Sequence, residues 1–199
     1  MYSKLHNLIV GFHGCTKDTY DNVLYNHTHL NDSVNTFDWL GHGVYFWEHN
    51  YLRAYQFAEE SIKRKTKASE KTAVIGAIID LGNCLSLTDS RHIDLIRNAY
   101  SIYETFMKTV GQPMPTNDTG KDLLKRHLDC AVIEQLHTYL KESNAKPFDS
   151  VRGVFIEGNA IYPGAAIMEK THIQLCVRNP NCIKGYFNPL DLNTNHINP

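Results

Sequence analysis

Residues 39–47 read Trp39-Leu40-Gly41-His42-Gly43-Val44-Tyr45-Phe46-Trp47, a glycine-flanked histidine running straight into an aromatic strand. The glycines on either side of His42 free the backbone. Val44 to Trp47 has the β-branched and aromatic composition of a half-buried strand. This is no phosphate loop, because it lacks both Gly-x-Gly-x-x-Gly and a terminal Gly-Lys-Ser/Thr.

Upstream, Leu8-Ile9-Val10-Gly11-Phe12-His13 reads as a strand feeding a loop. It leads into Gly14-Cys15, and the glycine beside His13 lets a flat ligand reach bare N–H and C=O groups. Between them, Thr16 to Asp38 is polar and reads as loop or a short irregular helix.

Downstream the period changes. Leu52, Tyr55, Phe57, Ala58 and Ile62 form a helical stripe over Tyr51 to about Lys65. Ala73 to Leu81 is the β-branched run of a central strand. Two helices follow. Ser90 caps the first, which carries Ile93, Ile96, Ala99, Tyr100, Tyr103 and Met107. The second starts near Asp118-Thr119 and carries Leu123, Leu124, Leu128, Ala131, Val132, Leu136 and Leu140. Strands are expected again at Val151 to Ile156, Ala165 to Met168, His172 to Val177 and Ile183 to Phe187. Strands first, a helical middle and strands last predict an α+β fold with a helical insertion over about 86–146.

At 199 residues the chain accommodates one well-buried core, so a single domain over 1–199 is expected. Its formal charge of -1 provides no global field toward nucleic acid or acidic lipid. Lys63-Arg64-Lys65-Thr66-Lys67 and Lys121 with Lys125-Arg126 are local basic patches, read first as solvated faces. No segment has the roughly 20 apolar residues of a membrane span. The run before Gly11 is short for a signal peptide, and the five cysteines contain no Cys-x-x-Cys; both point to the cytoplasm.

A third cluster, Val154-Phe155-Ile156-Glu157-Gly158-Asn159-Ala160-Ile161-Tyr162-Pro163-Gly164, reads as a hairpin-like pair of strands before Thr171-His172-Ile173-Gln174. Taken in order, His13-Gly14-Cys15, Gly41-His42-Gly43-Val44-Tyr45-Phe46, Ala54 and the Gly158–Gly164 segment resemble the ADP-ribosyltransferase superfamily. The likeness is to its poly(ADP-ribose) polymerase and diphtheria-toxin branch, and it covers roughly residues 8–81 and 150–187. It implies split antiparallel β-sheets, with NAD as co-substrate and no metal.

The resemblance also implies roles. His13 bonds a ribose hydroxyl, and the backbone of Gly14 clasps the nicotinamide carboxamide. Cys15 and Gly43 line the cleft. Tyr45 stacks on the nicotinamide ring, and Tyr55, with Phe57 as the alternative, covers its other face. Gln174 stands where the family has a catalytic glutamate. A glutamine still hydrogen-bonds ribose but is no general base, which points to transfer of a single ADP-ribose. Glu169 and Glu48 are the substitute acids, read otherwise as a solvated loop residue and a helix N-terminal charge.

The acceptor implied is a macromolecule, protein or nucleic acid. By analogy with small transferases of toxin–antitoxin or phage-defence systems, an antitoxin or immunity protein is a further expected partner. Three rival readings stand beside this one. His27, His29, His42 and His49 suggest a metal site, although no Cys pair or His-Glu-x-x-His supports it. Cys15 with a histidine suggests a hydrolase. Gln174 suggests an NAD-binding module or NAD hydrolase that transfers nothing.

Overall fold

A computed structural model describes residues 8–64, 70–119 and 125–190. Its strands are β1 (Leu8–Thr16), β2 (Val44–Glu48), β3 (Thr72–Asp80), β4 (Cys84–Ser86), β5 (Ser150–Phe155), β6 (His172–Val177) and β7 (Ile183–Phe187). The helices are α1 (Lys17–Leu24), α2 (Tyr51–Arg64), α3 (Ser90–Thr109) and α4 (His127–Glu142). All seven strands join one sheet in the order β4-β5-β6-β2-β1-β3-β7. No helix among the described residues is long and apolar enough to cross a membrane.

The expected pair of split antiparallel sheets is thus one mixed sheet, for two reasons. First, β1 and β2 stay joined at Gly11↔Glu48 and Phe12↔Trp47, next to a bond from the His49 amide to the Val10 carbonyl (3.0 Å). Second, β4 lies parallel to β5, while the other neighbouring pairs are antiparallel. Parallel neighbours need a long crossover between them. Here α3 and α4 supply it, so the helical insertion is the connection that brings β5 alongside β4.

Several local expectations shift. The polar Thr16–Asp38 stretch contains α1, whose first turn is capped by Thr16 accepting from the Thr19 amide. The first helix of the insertion is capped by Asp89 rather than Ser90, through the Arg91 amide (2.9 Å). Its second helix starts at His127 and not near Asp118. Asn117 Oδ1 accepts from the Leu128 and Asp129 amides (2.9 and 3.3 Å), so the cap comes from a residue well before the helix. Leu123, Leu124, Lys121 and Lys65 to Lys67, named above in the helix and the basic patches, lie outside the described residues.

After β5 no hairpin forms. Gly158 and Gly164 both take positive φ (81°), and Ala160↔Met168 is an isolated bridge, so Ala165 to Met168 is irregular and not strand. On α2 the buried positions are Arg53, Ala54, Ala58 and Ile62, with Leu52 on the solvent side.

The two-residue strand period sorts the core onto two faces. Phe46, Ile75, Ala77, Ile79, Leu175 and Val177 share one face with Tyr20 and Val23 of α1. On the other, Trp47 and Val74 pack under Ala54 of α2, and Val151, Phe155 and Cys176 pack under Val132, Ile133 and Leu136 of α4. That second face therefore carries α2 over one half of the sheet and the insertion over the other. Replacing Asn117 by Ala removes the acceptor for two α4 amides and should lower unfolding free energy by about 1 kcal/mol. A urea melt of the two proteins measures this, and an unchanged midpoint would show that water replaces the cap.

Candidate functional site

The sheet has an opening between β1 and β2. Their pairing ends at Phe12↔Trp47, after which β1 continues only along β3 and β2 only along β6. Strand parity fixes what faces the opening. The Val10 carbonyl accepts from the His49 amide on the β2 side. Four residues on, the N–H and C=O of Gly14 therefore point the same way, where β2 has moved off. The β1–β2 register has ended by then, at Phe12↔Trp47.

Gly14 is also the one residue type the packing allows there. A Cβ would lie 2.0 Å from the Ala54 carbonyl oxygen, because α2 crosses directly over this point of β1. The opposite lip is closed by Ser33, which exchanges two backbone bonds with Gly43 (2.8 and 3.0 Å).

His13 bridges the opening. Its Nδ1 lies 2.8 Å from the Tyr45 carbonyl oxygen, which can only accept, so Nδ1 carries the proton. Burial lowers the pKa of His13 below its ordinary 6.5, although the bond to Tyr45 opposes the shift. The ring is then neutral at pH 7, and Nε2 is left as an acceptor.

A cavity of about 650 Å³ covers the opening on the α2 face. His13, Gly14, Gly43, Tyr45 and Gln174 of the expected site residues line it. Gln174 is nine-tenths buried and sits opposite Trp47 in the β2–β6 register. Trp47 and Phe57 add aromatic wall, their centroids 4.7 Å apart. Of the two aromatics weighed on α2, Phe57 reaches the cavity; Tyr55 packs instead with Phe12 against Trp47, Ala54 and Val74.

Besides Tyr55, three expected residues are not among those lining it. Cys15 packs into the α1-side core, and burial pushes its thiol up to about 12. Glu169 accepts from the amide and the side chain of Asn159 (3.1 and 3.2 Å), holding the Gly158 turn. Glu48 lies an odd number of residues from Tyr45 and Trp47 in the face alternation it shares with Phe46, and Arg152 grips it with two bonds (2.6 and 2.9 Å). Sequence reading missed Asp38, Asp118, Arg64 and Lys125, all of which line the cavity. Asn35 and Asp38 have turn chemistry and turn spacing, which signals the turn but not its place at the cavity.

The histidines weighed as metal ligands are dispersed in contacts of their own. His42 faces Glu134 (3.5 Å) and His29 lies against the Tyr186 ring. No group of three or more His, Cys, Asp or Glu among the described residues is placed to hold a metal ion.

The Gly41-His42-Gly43 loop is held from the insertion. Glu134 on α4 accepts from the His42 amide (2.8 Å) and from Arg178 (3.0 Å), whose guanidinium also donates to the His42 carbonyl (3.0 Å). Gly41, at φ 80°, leaves room for this, since a Cβ there would meet Glu134 Oε1 at 2.5 Å. The loop in turn fixes Tyr45, whose hydroxyl accepts from the Leu40 amide (2.8 Å) and donates to the Gly41 carbonyl (2.7 Å). Compared with protein-family models, curated proteins and solved structures, the chain finds no match in any of the three.

The Glu134 carboxyl is subject to burial, which raises its pKa, but the bonds from Arg178 and the His42 amide outweigh this and hold it below its ordinary 4.5. Its contribution to stability is therefore complete above pH 4.5 and is lost as pH falls through the lower folded value. Replacing Glu134 by Gln should cost about 1–3 kcal/mol at pH 7 and flatten stability against pH below that range. Urea melts from pH 7 to pH 3 test this; parallel curves for the two proteins would sink it.

Proposed function

We propose that this chain is an ADP-ribosyltransferase that binds NAD at the β1–β2 opening, releases nicotinamide and passes one ADP-ribose to a protein or nucleic acid. The observation that carries the reading is Gly14, whose N–H and C=O point by strand parity to the side where the β1–β2 register has ended, at the edge of an aromatic-walled cavity. A planar carboxamide is the complement of that edge: its NH₂ donates to the C=O and its oxygen accepts from the N–H.

The surrounding groups support the same ligand. Tyr45 offers a π face to the cationic pyridinium, with its hydroxyl tied back to the Gly41 loop. The acceptor Nε2 of neutral His13 suits a ribose hydroxyl. Gln174 is neutral at every pH and hydrogen-bonds without taking a proton, in keeping with transfer of a single unit. The fold proposed is that of the superfamily, in which the seam between β1 and β2 is the split and the α3–α4 crossover is the part peculiar to this chain.

A second reading, a module that binds NAD and transfers nothing, is favoured by one observation: neither Glu48 nor Glu169 lines the cavity. The Cys15 hydrolase has the opposite balance, because a thiol pushed up to about 12 stays protonated at neutral pH.

The deciding experiment incubates the protein with NAD labelled in the adenylate and a cell lysate. Free nicotinamide and label in protein or nucleic acid are then measured separately. Transfer predicts both. Release without labelled macromolecule marks an NAD hydrolase, and binding without release marks the module.

In calorimetry, His13→Ala, Tyr45→Ala and Phe57→Ala should each weaken NAD binding by about 1–3 kcal/mol. Cys15→Ala should leave it unchanged. Normal NAD affinity in all three cavity variants would overturn the site.

A further inference from the structure

Loss of nicotinamide from NAD leaves positive charge on the ribose, and a carboxylate beside it lowers that barrier. Gln174 carries no charge, Glu48 is engaged by Arg152 on the other face, and Glu169 holds a turn. Building on the transferase reading above, we infer that Asp38, in the turn before the Gly41-His42-Gly43 loop, is the catalytic carboxylate of this site.

Asp38 lines the same cavity as Gly14, Tyr45 and Gln174, with 9% of its surface exposed. Two bonds from Asn35 hold it, from the amide to Oδ2 (2.9 Å) and from Nδ2 to Oδ1 (3.2 Å). A carboxylate has about four acceptor positions, so both oxygens keep capacity for a ligand. No Lys, Arg or His among the described residues forms an ion pair with it. A carboxylate with no cationic partner in the fold is available to positive charge that develops beside it in the transition state. The other acid of the cavity, Asp118, is exposed, where water and salt screen its field.

Position supports the role as well. The Asp38 carbonyl accepts from the Gly41 amide (3.1 Å), and the Tyr45 hydroxyl is held between Leu40 and Gly41 of that same turn. Carboxylate and stacking ring are thus parts of one rigid unit. In the reaction, the bond between ribose C1′ and the pyridinium nitrogen breaks, and both its electrons go to nitrogen, releasing neutral nicotinamide. The positive charge passes to C1′ and the ring oxygen, facing Asp38. The acceptor's nucleophile then forms the new bond at C1′ and loses its proton to water; Asp38 takes no proton.

The test is Asp38→Asn, which keeps an acceptor for the Asn35 amide and removes the charge. Its turnover for nicotinamide release should fall by about 10²-fold or more, with NAD affinity and melting temperature close to the parent's. Asp38→Ser serves if the first variant does not fold. Adding Gln174→Glu to Asp38→Asn returns a carboxylate to the cavity from β6 and should restore turnover. Parent-like turnover in Asp38→Asn would overturn the assignment, as would a loss that follows NAD affinity or melting temperature. A parent protein that neither binds NAD nor releases nicotinamide would instead overturn the transferase reading itself.

Discussion

Two pairs of residues, Gly11 with Glu48 and Phe12 with Trp47, are the whole register between β1 and β2, and the site exists because the pairing stops there. Two contacts hold the strands apart beyond it. On the β1 side α2 lies so close that Gly14 touches the Ala54 carbonyl. On the β2 side Ser33 occupies the edge of Gly43. An unpaired strand edge in mid-sheet would cost about 1–3 kcal/mol for each buried polar group left without a partner. The fold limits that cost by opening the edge onto a cavity. His13 takes the Tyr45 carbonyl, and Gly14 is left facing the space.

The insertion has a double part in this. As a crossover it brings β5 beside β4 in parallel, which extends the sheet by two strands on the β6 side. As a packed layer it puts Glu134 over the Gly41-His42-Gly43 loop, and Arg178 completes the clamp from the end of β6. Both partners of that pair are partly buried (25% and 18% of side-chain surface exposed), so the attraction is only partly screened. A chain of bonds then runs from α4 through the loop to the Tyr45 hydroxyl. Precision at the cavity wall is thereby set by a helix that does not line the cavity with Glu134 itself.

Period and composition made much of the fold legible. The strands β1, β2, β3, β5, β6 and β7 fell where β-branched or aromatic runs stood, and α2 and α3 where a helical stripe did. The failures have physical causes. β4 is three residues long, too short to show a period, and it is held by β5, which lies far along the chain. The start of α4 depends on Asn117 folding back onto the helix, a cap that no local rule about the preceding residue can show. Met168 bridges Ala160 once and goes no further, because Gly158 and Gly164 turn the chain on either side.

The site divides in the same way. Its backbone part was readable, because glycine beside a histidine marks a place where another group must come close, and here that group is both α2 and an open cavity. Glu48 could have been set aside from alternation alone: if Tyr45 and Trp47 face the cavity, the next residue of the strand faces away. Asp38 could not have been chosen in that manner. It belongs to a polar run with no period, and only the fold brings that run against Tyr45 and under the insertion. Alternation assigns a face within one strand, whereas the meeting of a loop with that face is a tertiary fact. Acid residues on strands can therefore be screened from sequence, but a loop acid has to be found by its burial and its missing counterion.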